Sequence, residues 1–195
     1  NAVSEALTRR GIVGTLKDVE GHPGWYHISR KTTQPHRVSL VIPTRGTAAL
    51  VWGRWRSLVV EAVRSVANLN PRLELEFVVV YDPETPQETL EALDEVAGDS
   101  LVLVPYNRVF NYSEKTNIGV TRSSGDIIVL LNDDIEARSW GCLEELIAPL
   151  EEPDVGMTGA KLYFADGTIQ HAGHSYAHGG HYHPYSGESG TSVGF

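Results

Sequence analysis

The chain has 195 residues, of which 41% are hydrophobic and 21% are charged, and its formal net charge is -9. These values predict one globular domain, and the acidic balance excludes nucleic acid as an expected partner, because binding it requires clustered lysine and arginine. Cys142 is the only cysteine, which excludes an intrachain disulfide and favours a reducing, cytoplasmic setting. No apolar run reaches the ~18 residues of a membrane helix, so any membrane association is expected to be peripheral, at the inner face.

Residues 1–37 are interrupted by glycine and proline, so this lead-in is predicted to hold at most one short helix, across Val3 to Arg10. The run VSLVI, residues 38–42, is rich in β-branched residues and ends at Pro43, as a buried parallel strand does. Apolar residues at helical spacing then predict a helix from Arg54 to Leu69.

A second strand is predicted from Leu75 to Tyr81, and the helix that follows it has three start signals. Thr85 is placed as the N-cap, Pro86 in the first turn and Glu88 as the capping-box partner of Thr85. The remaining predicted elements are strands at Leu101–Val104 and Ile127–Leu131 and helices at Ser113–Arg122 and Ser139–Leu150.

The alternation of strands and helices predicts a mainly parallel α/β sheet with helices on both faces. Ligands of such sheets bind outside the carboxyl ends of the strands, here in the loops after Ile42, Tyr81, Val104 and Leu131. Asp82 lies at this edge, where its carboxylate could accept hydrogen bonds from a base or ribose. An Asp-Pro turn leading into the next helix is the alternative.

The stretch IIVLLNDDIE, residues 127–136, carries an apolar strand, predicted to be fully buried, directly into the carboxylates of Asp133 and Asp134. Adjacent like charges repel, and a divalent cation that also binds phosphate would relieve the repulsion. Oxygen ligands suit Mg²⁺ or Mn²⁺. Alternatively, Asn132, Asp133 and Asp134 form a turn and cap the next helix. The motif alone leaves both interpretations open.

Two tryptophans, Trp52 and Trp55, flank Gly53 just after the first strand. Their rings could stack on a base or a sugar. Burial against the sheet is the commoner fate of tryptophan and is the prediction here.

Five of the eight histidines, at positions 171, 174, 178, 181 and 183, fall within 13 residues. An H-x2-H-x3-H spacing could bring imidazoles together on a helical turn and bind zinc. Gly173, Gly179 and Gly180 disfavour such a helix, so loop positions are predicted and zinc is the less favoured alternative.

Five segments, in order along the chain, resemble family 2 glycosyltransferases, the inverting nucleotide-sugar enzymes of the GT-A fold. They are VSLVIPTRG at 38–46, VVVYD at 78–82, FNYSEKTNIG at 110–119, GDIIVLLNDDIE at 125–136 and GAKLYFADGTIQHAG at 159–173. The resemblance is strongest to members that extend bacterial surface polysaccharides and often carry several domains on one chain. It implies a nucleotide-sugar-binding part at 38–175. Composition predicts that residues 1–37 are a lead-in and that the Gly/Ser/His-rich tail at 176–195 is loop or partly disordered.

The resemblance implies roles for the matched positions. Pro43-Thr44-Arg45 would line the nucleotide pocket, Asp82 would face the base, and Asn117 and Gly119 would approach the nucleotide or sugar. His171 would pack near the active site or touch the donor's phosphates.

Asn132-Asp133-Asp134 occupies the position of the family's D-x-D motif. The resemblance implies Asp134 as the ligand of Mn²⁺ or Mg²⁺, and Asn132 and Asp133 as contacts of the nucleotide sugar, with Asp133 at the ribose or sugar. Asn132 stands where the D-x-D motif has its first aspartate, so one negative charge of the motif is absent. Lys115 and Arg45 would add positive charge nearby, with a solvated helix face as the alternative for Lys115.

The implied function is metal-dependent transfer of a sugar, with inversion, from a nucleotide-diphosphate donor to a saccharide or lipid-linked acceptor in polysaccharide or cell-surface glycan synthesis. UDP, dTDP and GDP donors all remain open. The family's general base lies in a segment resembling GGFDE, which is expected beyond residue 195 of a longer multidomain chain, so activity of these residues alone is in question.

Two other functions fit the same pattern less well. One is a non-catalytic carbohydrate- or partner-binding module that retains the fold. The other is a nucleotidyltransferase, for which the single glycine of PTRGTA, residues 43–48, makes a poor phosphate loop.

Overall fold

The computed structural model describes residues 2–177 and 179–192. Residues up to Glu145 form one compact unit, and those from Leu146 onward form a second. The functional segments 1–37, 38–175 and 176–195 stay a prediction. Within the described part of the chain, none of the helices has the length and apolarity that crossing a bilayer requires, and the cytoplasmic location also stays a prediction.

The regular elements follow one another closely along the chain. In order, they are α1 (Ala2–Arg9), β1 (Gly14–Asp18), β2 (Tyr26–Arg30), β3 (Arg37–Thr44), β4 (Ala48–Val51), β5 (Arg54–Ser57), α2 (Leu58–Leu69), β6 (Glu74–Tyr81), α3 (Gln87–Ala97), β7 (Leu101–Pro105), α4 (Tyr112–Arg122), β8 (Ile127–Leu130), α5 (Cys142–Ile147), β9 (Leu162–Tyr163), β10 (Ile169–His171), β11 (Ser175–Ala177) and β12 (Gly180–Tyr182). Short 3-10 helices occupy Gly98–Ser100 and Ala148–Glu151.

Four parallel strands form the central sheet, in the order β7-β6-β3-β8. The chain adds β6 and then β7 on one side of β3, and afterwards returns to place β8 on the other side. Because parallel crossovers are right-handed, this reversal puts α2 and α3 on one face and α4 on the other. The prediction of a mainly parallel sheet covered on both faces is confirmed.

The two central strands, β3 and β6, are largely apolar and buried on both faces. On the α4 face, Val41, Val78 and Val80 belong to one buried cluster, against which Ile118 of α4 packs. On the other face, Leu40 of β3 is fully buried, as its strand neighbours of the same orientation are. Burial of successive residues on both faces explains the near-continuous apolar runs of β3 and β6.

The outer strand β8 differs from the prediction that it is fully buried. It lies at one edge of the four-stranded sheet, and the exposed fractions of Ile128 and Leu130 are 38% and 59%. The apolar run indicated burial on both faces, as in β3 and β6. The edge position depends on the order of the strands in the sheet, which the run itself does not encode.

The predicted helix at Arg54–Leu69 begins one turn too early. Trp52 and Gly53 both have positive φ, 48° and 75°, which is the backbone of a two-residue hairpin turn. Residues 54–57 therefore pair back on β4, with Val51 opposite Arg54, and α2 begins at Leu58. Trp52 and Trp55 are exposed on this hairpin, so the prediction that they are buried was wrong.

The lead-in holds more structure than predicted. Besides α1, it contains an antiparallel hairpin of β1 and β2, with Gly14 opposite Arg30 and Asp18 opposite Tyr26. Few of its side chains are apolar, so the period-2 signal of a half-buried strand is weak here.

Three further predicted helix starts are displaced. The N-cap of α3 is Pro86, and Thr85 is buried with a side-chain hydroxyl that has no hydrogen-bond partner among the described residues. Asn111, rather than Ser113, caps α4, because its side chain accepts a hydrogen bond from the N–H of Glu114 at 3.0 Å. The start of α5 is Cys142, not Ser139.

The second unit is built from two small antiparallel pairs. One joins β9 to β10, and the other is the hairpin of β11 and β12. Ile169 of β10 is fully buried, and its backbone exchanges hydrogen bonds of 2.8 Å with Glu188 and Gly187. The stretch expected to be loop after residue 175 thus contains β12.

Candidate functional site

The carboxyl edge of the sheet collects the predicted polar residues. Thr44 ends β3, Asp82 follows β6, and Asp133 lies in the turn after β8. The chain reverses its direction of strand addition between β3 and β8, and in open α/β sheets ligands bind in the crevice at such a reversal.

A buried lysine connects two of these residues. Lys115 of α4 is 1% exposed, and its Nζ donates hydrogen bonds of 2.7 Å to the backbone oxygen of Thr44 and to Oδ1 of Asp82. The same ammonium lies 5.4 Å from the ring centroid of Tyr106, in cation–π geometry. The alternative that Lys115 lies on a solvated helix face is therefore wrong.

Thr44 connects this lysine to the acidic turn. Its Oγ1 donates a 2.6 Å hydrogen bond to Oδ2 of Asp133 and accepts one of 2.9 Å from the N–H of Gly46. The Thr44 hydroxyl has a single proton, which it donates to Asp133, and it acts as the acceptor in its contact with Gly46. Lys115, Thr44, Asp82 and Asp133 thus form one connected network across three strand ends and α4.

Arg45 supplies a second cation beside Asp82. Its Nε lies 3.7 Å from Oδ2 of Asp82, while Lys115 holds Oδ1. The Arg45 side chain is 76% exposed, so this pair is weak and the guanidinium can reorient toward an anion. Pro43 is half-buried within β3, directly before Thr44.

The two carboxylates of the acidic turn differ in their exposure. Asp133 is half-buried and Asp134 is exposed. Both lie in a turn after β8, as the interpretation of these residues as a turn and helix cap predicts. The cap role in that interpretation is wrong, because Oδ1 of Asn70 accepts the hydrogen bond from the N–H of Leu143 in the first turn of α5, at 3.0 Å. The exposed carboxylate of Asp134 has no cap role, and its oxygens fit a hard divalent cation such as Mn²⁺ or Mg²⁺.

Two residues of this edge have structural roles that the sequence did not predict. The hydroxyl of Tyr112 donates a 3.2 Å hydrogen bond to Oδ1 of Asn132 and so ties the start of α4 to the acidic turn. Gly46 has φ +69°, and a Cβ there would lie 2.6 Å from Cγ2 of Thr85, so a larger residue would clash. A glycine two residues after a strand was the available signal.

Two matched positions lie on α4. Asn117 is exposed. Gly119 faces the sheet instead: a Cβ there would lie 2.4 Å from Cγ1 of Val41 and 3.0 Å from Cγ2 of Val80. Close packing on the sheet thus accounts for this glycine, and contact of either residue with a nucleotide stays a prediction.

An open, mainly parallel sheet with a network of carboxylates and cations at its reversal point defines a ligand-binding domain of the α/β class. The model of the family described as glycosyl transferase family 2 matches residues 39–192, and the chain belongs to that family.

Two curated proteins are similar to the chain. An uncharacterized protein of Sinorhizobium fredii, y4gI, is 37% identical over 138 residues, which are 70% of this chain and 14% of that protein. The O-antigen biosynthesis protein RfbC of Myxococcus xanthus is 29% identical over 172 residues, which are 88% of this chain and 13% of that protein. The chain thus spans about one seventh of the length of each relative.

Among solved structures, the mannosyltransferase PcManGT from Pyrobaculum calidifontis, in complex with GDP-Man and Mn²⁺, superposes with a TM-score of 0.53 at 23% identity. The match covers 65% of this chain and 36% of that one. The shared fold confirms the prediction of a GT-A architecture.

Proposed function

We propose that this chain is the donor-binding part of a glycosyltransferase that moves a sugar, with inversion, from a nucleoside diphosphate to a saccharide or lipid-linked acceptor in polysaccharide or cell-surface glycan synthesis. The observation that carries the proposal is the network of Asp82, Lys115, Thr44 and Asp133 at the reversal point of the sheet. The family match, and the O-antigen name of one relative, support it.

The nucleoside would bind on the Asp82 side. Lys115 holds one oxygen of this carboxylate, with exposed Arg45 beside the other, so the group presents an oriented acceptor to an N–H of the base or a hydroxyl of the ribose. This orientation reduces the conformational entropy that binding would otherwise cost. Pro43, Thr44 and Arg45 would line the pocket beside it.

The diphosphate and sugar would bind on the side of the acidic turn. Asp134 would hold the cation, Asp133 would orient the ribose or sugar, and Asn132 would contribute a neutral polar contact. Mn²⁺ or Mg²⁺ bound there would stabilise the negative charge that develops on the departing diphosphate. A net charge of -9 favours the use of a cation to hold a diphosphate ligand, and the structural neighbour was solved with GDP-Man and Mn²⁺.

Calorimetric titration of the chain with UDP, GDP and dTDP tests the proposal, with Mn²⁺, with Mg²⁺ and with a chelator. We expect one of the three to bind only when the cation is present. The variant Asp134→Asn removes the ligand charge at nearly constant volume and should weaken binding at least tenfold. Asp99→Asn is the matched control, because Asp99 is exposed just before β7, at the opposite edge of the sheet.

Two results would contradict the proposal. One is the absence of nucleotide binding under all conditions. The other is binding that ignores both the cation and Asp134→Asn. Binding of glycans without nucleotide would favour a non-catalytic carbohydrate-binding module instead.

A further inference from the structure

We propose that His171, His174 and His183 form a binding site for a late divalent transition metal ion, of which Zn²⁺ is the representative. The three residues each offer a ring nitrogen, and these atoms all lie within 4.8 Å of one another. All three belong to the second unit, and the inference does not depend on the proposed function.

The register of one hairpin brings two of the imidazoles together. In β11 and β12, Tyr176 lies opposite His181 and Ser175 lies opposite Tyr182. One further step in the same register places His174 opposite His183, at the open end of the hairpin. Their ring centroids are 4.6 Å apart, as expected for directly opposed residues.

The preceding strand delivers the third imidazole. His171 ends β10, and Gly173 has φ +108°, which lets the chain turn between this strand and the hairpin. The ring centroid of His171 then lies 4.9 Å from those of both His174 and His183. Buried Ile169 anchors β10 two residues earlier, so the position of His171 is supported by packing.

This arrangement explains why the zinc hypothesis looked weak in the sequence. Glycine disfavours the helix that an H-x2-H-x3-H site needs, whereas the observed set has H-x2-H-x8-H spacing across a hairpin, for which Gly173 is an advantage. His178 lies outside the described residues. His181 is displaced from the set, with its ring centroid 6.1 Å from that of His174.

The donor chemistry selects the class of metal. Imidazole nitrogen suits Zn²⁺, Ni²⁺ and Cu²⁺, whereas the carboxylate turn suits Mn²⁺ and Mg²⁺. Three histidines leave the fourth position of a tetrahedral ion to water or an exogenous ligand. Nitrogens at about 2.0 Å from zinc lie roughly 3.3 Å apart in a tetrahedron.

A simpler explanation of the closest pair is a hydrogen bond. Nδ1 of His171 lies 2.8 Å from Nδ1 of His183, a distance that one shared proton would also produce. A hydrogen bond between two rings does not require the third, so the role of His174 distinguishes the two explanations. Metal binding needs this pair to open by about 0.5 Å and the more distant nitrogens, up to 4.8 Å apart, to close by as much as about 1.5 Å. His174 and His183 are exposed, so rotation of their rings can make these adjustments.

The test is a zinc titration of the chain after removal of any affinity tag. We expect one equivalent of Zn²⁺ with micromolar or tighter affinity, and a visible Co²⁺ spectrum of tetrahedral type. His174→Ala and His183→Ala should each weaken binding at least tenfold. The matched control is His181→Ala, on the same hairpin, which should leave the affinity unchanged within twofold.

The inference is overturned if the chain takes up no stoichiometric Zn²⁺, or if His174→Ala binds it as tightly as the unaltered chain. An equal loss in His181→Ala would also overturn this assignment of ligands. Zinc binding should persist in Asp134→Asn, whose effect on nucleotide binding is measured separately, so failure of one proposal is distinguishable from failure of the other.

Discussion

Lys115 places a single ammonium group at the centre of the candidate nucleotide site. It is almost completely buried, and it is hydrogen-bonded to Asp82 and to the backbone of Thr44. A buried charge of this kind is tolerated because each of these contacts compensates the loss of water. Removal of Lys115 would therefore leave the Asp82 carboxylate without its main partner, besides removing the contacts of the lysine itself.

We expect Lys115→Met to lower the free energy of unfolding by about 3–5 kcal/mol, because Asp82 loses its main cation in a largely buried position. Denaturant unfolding measures this loss. Lys17→Met, on exposed β1, is the control and should stay within about 0.5 kcal/mol. Asp82→Asn is then measured both in the unaltered chain and in Lys115→Met. If its loss of unfolding free energy is the same in both, the two residues are not coupled and the prediction fails.

The sequence carried part of the information about this residue. The family resemblance includes the segment that contains Lys115 and implies that its charge lies near the acidic turn. Its burial follows from Gly119, one helical turn later on the same face of α4, which must approach the sheet closely. The close approach of α4 to the sheet depends on Val41 and Val80. These residues lie on two strands that are distant from α4 in sequence, so the approach is visible only in three dimensions.

At the scale of elements, the distance between α4 and the sheet depends on Gly119, a glycine in the middle of the helix. Glycine there costs up to about 1 kcal/mol relative to alanine, which close packing against β3 and β6 must offset. The absent side chain lets the helix backbone lie against the valine side chains of the sheet.

We expect Gly119→Ala to lower the free energy of unfolding by about 1–3 kcal/mol. The added methyl group overlaps Val41, and the cost of this overlap exceeds the gain in helix propensity. Thr121→Ala, on the exposed face of α4, should be neutral or slightly stabilising. Thermal unfolding of both variants makes the comparison. Equal or increased stability of Gly119→Ala would show that the helix moves away without cost.

The elements that could be predicted are those whose pattern is local. The strands and helices from β6 to β8 follow from apolar periodicity, and their order along the chain fixes a parallel sheet. The β4–β5 hairpin could not be predicted, because its turn places Trp52 at positive φ, a conformation that tryptophan rarely adopts. The β11–β12 hairpin was missed because its residues follow no apolar alternation.

At the scale of the whole molecule, a second polar network ties the opposite edge of the sheet together. Glu76 of β6 is buried and accepts hydrogen bonds from Ser39 of β3 at 2.5 Å and from both the hydroxyl and the N–H of Ser124 before β8, at 2.6 and 2.8 Å. Burial by itself raises the pKa of Glu76, but these hydrogen bonds and Arg37 outweigh it and lower the pKa to about 2.

This pKa predicts how stability depends on pH. The folded pKa lies below the ordinary value of 4.5, so the folded state favours the ionised form. The stabilisation is complete above about pH 4.5 and is lost as pH falls toward 2. We expect Glu76→Gln to cost about 1–3 kcal/mol near pH 7, and its difference from the unaltered chain to shrink over that window.

Urea unfolding at a series of pH values checks this expectation. Glu74→Gln is the control, since Glu74 also contacts Arg37 but its side chain is 66% exposed. It should change stability little at any pH. A constant difference between Glu76→Gln and the unaltered chain from pH 7 to pH 2 would contradict the assignment.

In the proposed donor site, Thr44 would couple the two halves thermodynamically. Its carbonyl oxygen accepts a hydrogen bond from Lys115, and its hydroxyl donates one to Asp133. Ordering of either half would therefore restrain the other before a second ligand arrives. Cation and nucleoside would then be heterotropic partners, and linkage requires that each tighten the binding of the other by the same factor.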